Sequence, residues 1–436
     1  MSAIELGDVT AAPAPEPEPP FWSPGLIRAV LAVITVLGLA AAGGSARPEP
    51  SRLLRPMWSI GTTGLSQFSV DGDTVVVLNS GGDLTAYALA DGRERWSTRL
   101  PEQATTTTAE DLASLVLPAG HTQVSKEDAQ VLASLDSATA ETVALDPATG
   151  AERWRAPGGA GYRDAVTTLL VEADPRGGRP KTFRAVRTAD GTVLWTRAAG
   201  HPDHWIAGAG HLVTIGADGR TDVVGLTDGA VVAGGRLPLG PDAISTGAAE
   251  VEVDATALYL ERDVAGRLTV TAFDLAGLRP RWTVDGGADA REAHLCGAVL
   301  CIGDGTATDG YDLGTGAHRW RAAGWVNATT VTGGHLLAER APSTGDGLLD
   351  AATGALLADL GPGYPVRNPL DGTPAFLLRD TAKPPGRTAV FRLDGQNGGR
   401  RLRGAIGGLP GRTCMAAHDR LVCRTTDGRL TVVAVA

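Results

Sequence analysis

The sequence is poor in lysine, in cysteine and in any clustering of positive charge. Only three of its 39 basic residues are lysines (Lys126, Lys181 and Lys383), and 49 acidic residues leave a net charge of −10 over 436 residues. That charge is spread along the chain. Nucleic acid is therefore excluded as the main partner, because phosphate binding needs clustered Lys and Arg. Aromatic residues make up only 5%. No stretch beyond residue 46 keeps a helical spacing of apolar residues, which excludes a helical domain. A Ser-His-Asp order, a Gly-rich phosphate loop and a nucleophile elbow are all absent. What is abundant is Gly, at 58, and Pro, at 27, the composition of a chain with many turns.

The first 25 residues carry a Pro/Glu-rich run (APAPEPEPP) that buries too little to fold and is expected to be a disordered tail. A transmembrane helix is expected over residues 26–46. Its core, Ala29 to Ala46, is 18 residues without charge, or roughly 27 Å of helix, enough to span. The rival is a cleaved signal peptide, with Gly44-Ser45-Ala46 as its small-residue site. The long acidic stretch before the segment favours an uncleaved anchor, and no Cys follows to take a lipid. Residues 47–56 read as a linker and 57–436 as one domain.

Orientation is contested. Arg28 alone flanks the N-terminal side, while Arg47, Arg52 and Arg55 follow the span, which by the positive-inside rule keeps the domain in the cytoplasm. The cysteines point the other way. Cys296 with Cys301 and Cys414 with Cys423 form two local pairs, each bracketing a short apolar turn-and-strand stretch within disulfide reach. Disulfides would place the domain outside; four buried thiols are the alternative. The spacing fits no zinc motif, no His partners the pairs closely, and no metal site is expected.

One phrase recurs after the anchor: an alternating strand, an Asp, a short turn with Gly, then Trp. It reads YALADGRERW (Tyr87 to Trp96), VALDPATGAERW (Val143 to Trp154), VRTADGTVLW (Val186 to Trp195), AFDLAGLRPRW (Ala272 to Trp282) and YDLGTGAHRW (Tyr311 to Trp320). Weaker copies without Trp surround Asp228, Asp350 and Asp394. The Asp accepts hydrogen bonds from turn amides, and the Gly takes a left-handed backbone conformation. The turn pairs are Asp91 with Gly92, Asp146 with Gly150, Asp274 with Gly277, and Asp312 with Gly316. Upstream of each copy lies another strand joined by a tight turn, such as Gly81-Gly82, Asp218-Gly219 or Asp427-Gly428. Units of three or four strands at a period of about 38 to 58 residues are the signature of a β-propeller.

The phrase resembles the quinoprotein (PQQ-like) β-propeller repeat, a hydrophobic strand followed by A-x-D-x-x-T-G and Trp four residues later. Val143 to Trp154 matches it almost letter for letter, and the resemblance extends loosely over residues 58–436. It implies an all-β propeller in which Trp96, Trp154, Trp195, Trp282 and Trp320 pack between neighbouring blades. Eight blades are favoured, with seven or nine as alternatives, since a literal count gives nine units and the irregular stretch Ala104 to Asp136 confuses it. Met57-Trp58-Ser59-Ile60 could complete the last unit and close the ring. Single-pass members with a Pro-rich tail and an extracytoplasmic propeller are familiar from actinobacteria, which suits the Lys-poor, Ala-rich composition.

The enzymes of that family use a quinone with a calcium ion and an aspartate base, and many carry two adjacent cysteines. This chain has no adjacent pair and no recognisable ligand set, so neither PQQ nor calcium is expected, and no catalytic residue is assigned. Val70-Asp-Gly-Asp73 and Gly303-Asp-Gly305 read as hairpin turns, lacking the ligand series of a calcium loop. His201, Asp203, His204 and His211 form the only His cluster and read as a loop between blades. Asn327-Ala-Thr329 is a formal glycosylation sequon. The resulting expectation is a monomeric, membrane-anchored binding or scaffold module for proteins or peptides of the cell envelope. An atypical quinone-dependent dehydrogenase and an extracellular sensor domain are the alternatives.

Overall fold

A computed structural model describes residues 54–61, 65–79, 82–99, 131–134, 141–174, 179–200, 202–240, 243, 249–331, 333–368, 374–383, 385–394, 399–407, 409 and 413–435. The chain divides into two compact units, Met1–Arg52 and Leu53–Ala436. The first, with the expected tail and membrane segment, lies outside the described residues, as do Gly81, His201 and most of the 104–136 stretch. Among the described residues no helix is long and apolar enough to cross a membrane.

All regular structure described is strand, in antiparallel sheets that follow one another along the chain. The first sheet shows the plan: Leu65–Asp71, Thr74–Asn79, Asp83–Ala88 and Glu94–Arg99 pair in that order. The second strand (TVVVLN) is nearly continuously apolar and buried on both faces, because a sheet lies against each side of it. The third (DLTAYA) alternates strictly between buried and half-buried. Further sheets occupy residues 131–157, 159–198, 204–236, 249–287, 292–323, 325–361 and 364–407. In the last sheet Cys414–Ala417, Arg420–Arg424 and Arg429–Ala434 are joined by Pro56–Gly61 from the other end of the domain. Met57 to Ile60 thus completes that sheet, and the domain's two chain ends are tied by hydrogen bonds.

Eight sheets are four-stranded and one, over residues 131–157, is three-stranded. The expected count of eight units is corrected to nine sheets among the described residues. The literal count of nine repeat units, with the Val143 to Trp154 cassette among them, is the one that agrees with the sheets.

Apolar side chains fill every seam between successive sheets. Trp96 and Val76 of the first sheet meet Val143 and Leu145 of the second, and the other seams follow in order. The last joins Val422, Leu430 and Val432 of the ninth sheet to Val70, Val75 and Val77 of the first. An open stack of nine sheets has eight seams; a ninth seam closes the ring. Closure leaves no exposed end sheet to pair with another chain.

Candidate functional site

The repeated cassette forms a staple between neighbouring sheets. Each cassette Trp lies on the last strand of its sheet and donates its indole N–H to a backbone carbonyl in the turn of the next sheet. Trp96 donates to Pro147 (2.9 Å), Trp154 to Thr188 (3.0 Å), Trp195 to Leu226 (2.8 Å), Trp282 to Leu313 (3.0 Å) and Trp320 to Ala351 (3.1 Å). Trp58, on the strand that closes the ring, does the same to Leu89 (3.0 Å). Three residues after each acceptor stands a Gly with positive φ, namely Gly92, Gly150, Gly191, Gly229, Gly316 or Gly354. It lies so close to the indole that a Cβ there would meet the ring at 2.5–2.8 Å. Glycine is thus required twice over, by backbone conformation and by contact.

Room for each ring also comes from its own sheet. The residue paired with the Trp on the adjacent strand is Ala86, Ala144, Ala185, Ala272 or Gly310. Burial of a Trp contributes on the order of 3–5 kcal/mol against its truncation, so the ring of indoles is a main source of rigidity.

The turns come in two forms. Asp146 and Asp312 open theirs, and each Oδ1 accepts two turn amides (2.8–3.0 Å). Asp91 instead stands just before the Gly and caps the amide of Arg93 (3.0 Å). Asp190 and Asp228 repeat that second form. Gly277 needs correction: it donates its amide to Asp274 Oδ1 (2.6 Å), where other cassettes have Thr, and the positive φ (52°) falls on Leu278.

All these turns leave one end of the sheets. A cleft of about 850 Å³ opens at the other end, between the seventh and eighth sheets and reaching Cys414 of the ninth. The turn over residues 341–345 and the connection at 362–363 both emerge there, as strand alternation requires. Tyr364 and Arg367, from Tyr364–Arg367, form one wall, and Asn327 and Thr329 another, with Glu339, Asp346, Arg379 and Asp380 around them. Arg367 donates to the Thr329 hydroxyl (3.0 Å), bridging the two sheets. Burial holds its guanidinium below the ordinary value, while the Asp346 carboxylate acts the other way. Asn327, with φ 50° at a bulge in its strand, donates to Glu339 Oε2 (3.1 Å). The cleft offers both charge signs, hydroxyls and one phenol that is 38% exposed.

A second polar cluster lies in the seam of the fifth and sixth sheets. Glu252 Oε2 accepts the amide of Leu295 (2.6 Å) and Glu261 Oε2 that of Ala293 (3.0 Å). Burial, and then the charges of Glu250, Glu252 and Glu292, push the Glu261 carboxyl up to about 7, against the lowering effect of the Ala293 amide.

The remaining candidates resolve as follows. Asp304 caps Thr306 and Ala307 amides (2.7 and 2.8 Å), which is turn chemistry, whereas Asp73 forms an ion pair with Arg95 of the first sheet's fourth strand (2.6 Å). Asp203 lies against Arg179 (2.7 Å), and His211 Nδ1 lies against the Ala209 carbonyl (3.2 Å). Burial depresses His204, opposed by Glu250. Among the described residues these side chains share no ligand set. Cys296 is joined to Cys301 and Cys414 to Cys423. A further correction concerns the first pair: His294 does partner it. His294 and Cys296 share a strand face at i and i+2, and Cys301 stands directly across from His294. The cleft residues were not legible because three sheets contribute them without a motif; His294 was, through its spacing from Cys296 on an extended strand.

Comparison with known proteins is consistent with the repeat. A sequence family described as outer membrane protein assembly factor BamB matches residues 51–134. No curated protein matches. Among solved structures, BamB from Moraxella catarrhalis is similar over 88% of this chain and all of its own, at 16% identity and TM-score 0.40. The computationally designed Ika8 protein is similar over 87% of this chain and all of its own (12%, 0.45). Dihydro-heme d1 dehydrogenase NirN is similar over 67% of this chain and 65% of its own (16%, 0.40). Residues 51–134 thus match a repeat of the PQQ-like type, and the successive sheets with their closing seam have the arrangement of a β-propeller.

Proposed function

We propose that the chain is a membrane-anchored, extracytoplasmic propeller of nine blades that docks protein or peptide partners of the cell envelope. One observation carries this reading: the fold places its stapling turns at one end and a wide, chemically mixed cleft at the other. The cleft walls are held by apolar packing across the seams on both sides of the eighth sheet and by the Arg367 to Thr329 bond, so binding costs little ordering. Tyr364 supplies an amphipathic contact surface; Arg367, Arg379, Glu339, Asp346 and Asp380 supply hydrogen-bonding and charge of both signs, which suits a polypeptide segment. The family match over residues 51–134, described by its role in outer membrane protein assembly, supports a binding role of the same kind. Residues 26–46 provide the anchor, which raises the effective concentration of the domain beside membrane-bound partners.

Cross-linking of the intact chain in living cells, read by mass spectrometry, tests this. An envelope protein or peptide is expected among the products, and is expected to be lost with Tyr364→Ala combined with Arg367→Glu when that variant unfolds at the wild-type temperature. Undiminished recovery with the variant, or no envelope partner, overturns the proposal.

A further inference from the structure

The hairpin of Glu292–Cys296 and Val299–Gly303 holds a feature that partner docking does not use. His294, Cys296 and Cys301 present one ring nitrogen and two sulfurs, all within 4.8 Å of one another. No other group of three or more His, Cys, Asp or Glu side chains converges in this way among the described residues. In particular, the second disulfide, Cys414 to Cys423, has no such third donor.

We propose that this hairpin is a redox-gated site for a soft divalent cation such as zinc. The disulfide is its closed state, and the dithiol with His294 is its metal-binding state. The backbone sets the donors: His294 and Cys296 project to the same side of one strand, and Cys301 is cross-strand to His294. A tetrahedral ion with bonds of roughly 2.3 Å to sulfur holds two thiolates about 3.7 Å apart. Side-chain rotation alone opens a broken disulfide that far, because the two Cα atoms are already 5.7 Å apart.

Ala328 supports the imidazole from the neighbouring sheet. Its carbonyl bonds His294 Nε2 and also lies 3.7 Å from Cys296 Sγ. A backbone carbonyl on one ring nitrogen is the outer partner that fixes a metal-bound imidazole and leaves the other nitrogen for the ion. Both sulfurs are fully buried, whereas His294 is half-buried and offers the way in. The fourth position falls to water.

The chemistry balances through an external dithiol. It delivers two electrons and two protons, breaks the Sγ–Sγ bond, and is itself oxidised to a disulfide. The ion then displaces both thiol protons to solvent as it takes two thiolates and the neutral imidazole. The redox poise around the domain decides which state is held, so an oxidising compartment keeps the site closed and a reducing one opens it to metal.

The test uses the full chain carrying Cys414→Ser and Cys423→Ser, so that the only thiols are the two of the hairpin. Zinc is added to oxidised and to dithiol-reduced protein after thiol titration, and bound metal is counted by native mass spectrometry. One zinc per reduced chain is expected, and none per oxidised chain. His294→Ala should weaken binding at least about tenfold, given that loss of outer partners alone costs 10–100-fold, and His294→Cys should restore it. Cys296→Ser provides a second reading should His294→Ala fail to fold. A reduced chain with two titrated thiols and no zinc overturns the proposal. So does equal affinity without His294, or a disulfide that no dithiol opens in the folded chain.

Discussion

Leu278 occupies the space that an indole from Ala233 would fill. Ala233 holds the position in the fourth sheet where Trp154, Trp195 and Trp320 stand in theirs, and Leu278 holds the position of Gly150 and Gly354 in the facing turn. Both residues lie in the seam of the fourth and fifth sheets. Leu278 is 7% exposed and keeps the left-handed φ of the glycine it replaces. A large residue and a small one have exchanged sides across the seam. The residue paired with Ala233 has changed with them: it is Val223, where the Trp strands face Ala or, at Trp320, Gly310.

A mutant cycle follows from that exchange. Leu278→Gly removes a buried Leu but relieves backbone strain, for a net loss of about 2–3 kcal/mol. Ala233→Trp alone overpacks the seam and costs about 1–3 kcal/mol. The triple variant that adds Val223→Ala should recover at least about 1 kcal/mol relative to the sum of the three single changes, as the indole gains its glycine bed and the Leu275 carbonyl. Additive losses in denaturant unfolding would show that the two positions are not coupled.

The glycine of an ordinary staple separates strain from contact. Gly150→Ala forces a left-handed Ala and places a Cβ 2.5 Å from Trp96 Cδ2, for a combined cost of about 2–4 kcal/mol. Gly428 has a similar φ of 74° with nothing within 4 Å of an added Cβ. Gly428→Ala should therefore cost only about 1–2 kcal/mol, the backbone share. Thermal unfolding of the two variants side by side reads the difference, which belongs to the indole contact; equal shifts would remove the glycine bed from the account.

These contrasts explain what was legible in the sequence. The Val143 to Trp154 cassette spells its turn because the Asp146 cap and the Gly150 conformation act within the turn itself. The Gly277 position misled because the turn keeps its positive φ one residue later, at Leu278, whose bulk fits there only beside the small Ala233, more than forty residues earlier. Asp91 and Asp146 look alike in the repeat yet cap from different ends, since Asp91 stands where Thr149 does and Ala88 stands where Asp146 does within a turn of constant backbone. The cleft was invisible for a related reason: Thr329, Tyr364 and Asp380 meet only after two sheets are set side by side, and nothing local announces them.

The Cys414 to Cys423 disulfide spans two directly paired residues in the sheet that also receives the N-terminal strand. Its closed loop is short, and the chain-entropy treatment gives about 2–3 kcal/mol for a loop of this size. Cys414→Ser with Cys423→Ser should lower the denaturant midpoint by a corresponding amount, with a slope equal to or slightly above that of the parent because the freed denatured chain is looser. A lowered slope would indicate instead that the ninth sheet opens separately from the rest.

Stability across the seam of the fifth and sixth sheets should depend on pH through Glu261. Its carboxyl is raised to about 7 from an ordinary 4.5, so the folded chain holds this proton more tightly than the unfolded one. A group raised in this sense contributes its stability fully below pH 4.5 and loses it as pH climbs towards 7, after which the curve is flat. Glu261→Gln keeps an oxygen to accept the Ala293 amide but cannot ionise, so it should lack this decline. Above pH 7 the variant is expected to be the more stable chain. The gain, discounted for the partial exposure of Glu261, is about 1–2 kcal/mol, and it should vanish below pH 4.5. Unfolding midpoints of both chains from pH 4 to 8 provide the comparison, and parallel curves would show that Glu261 ionises in the fold as it does in water.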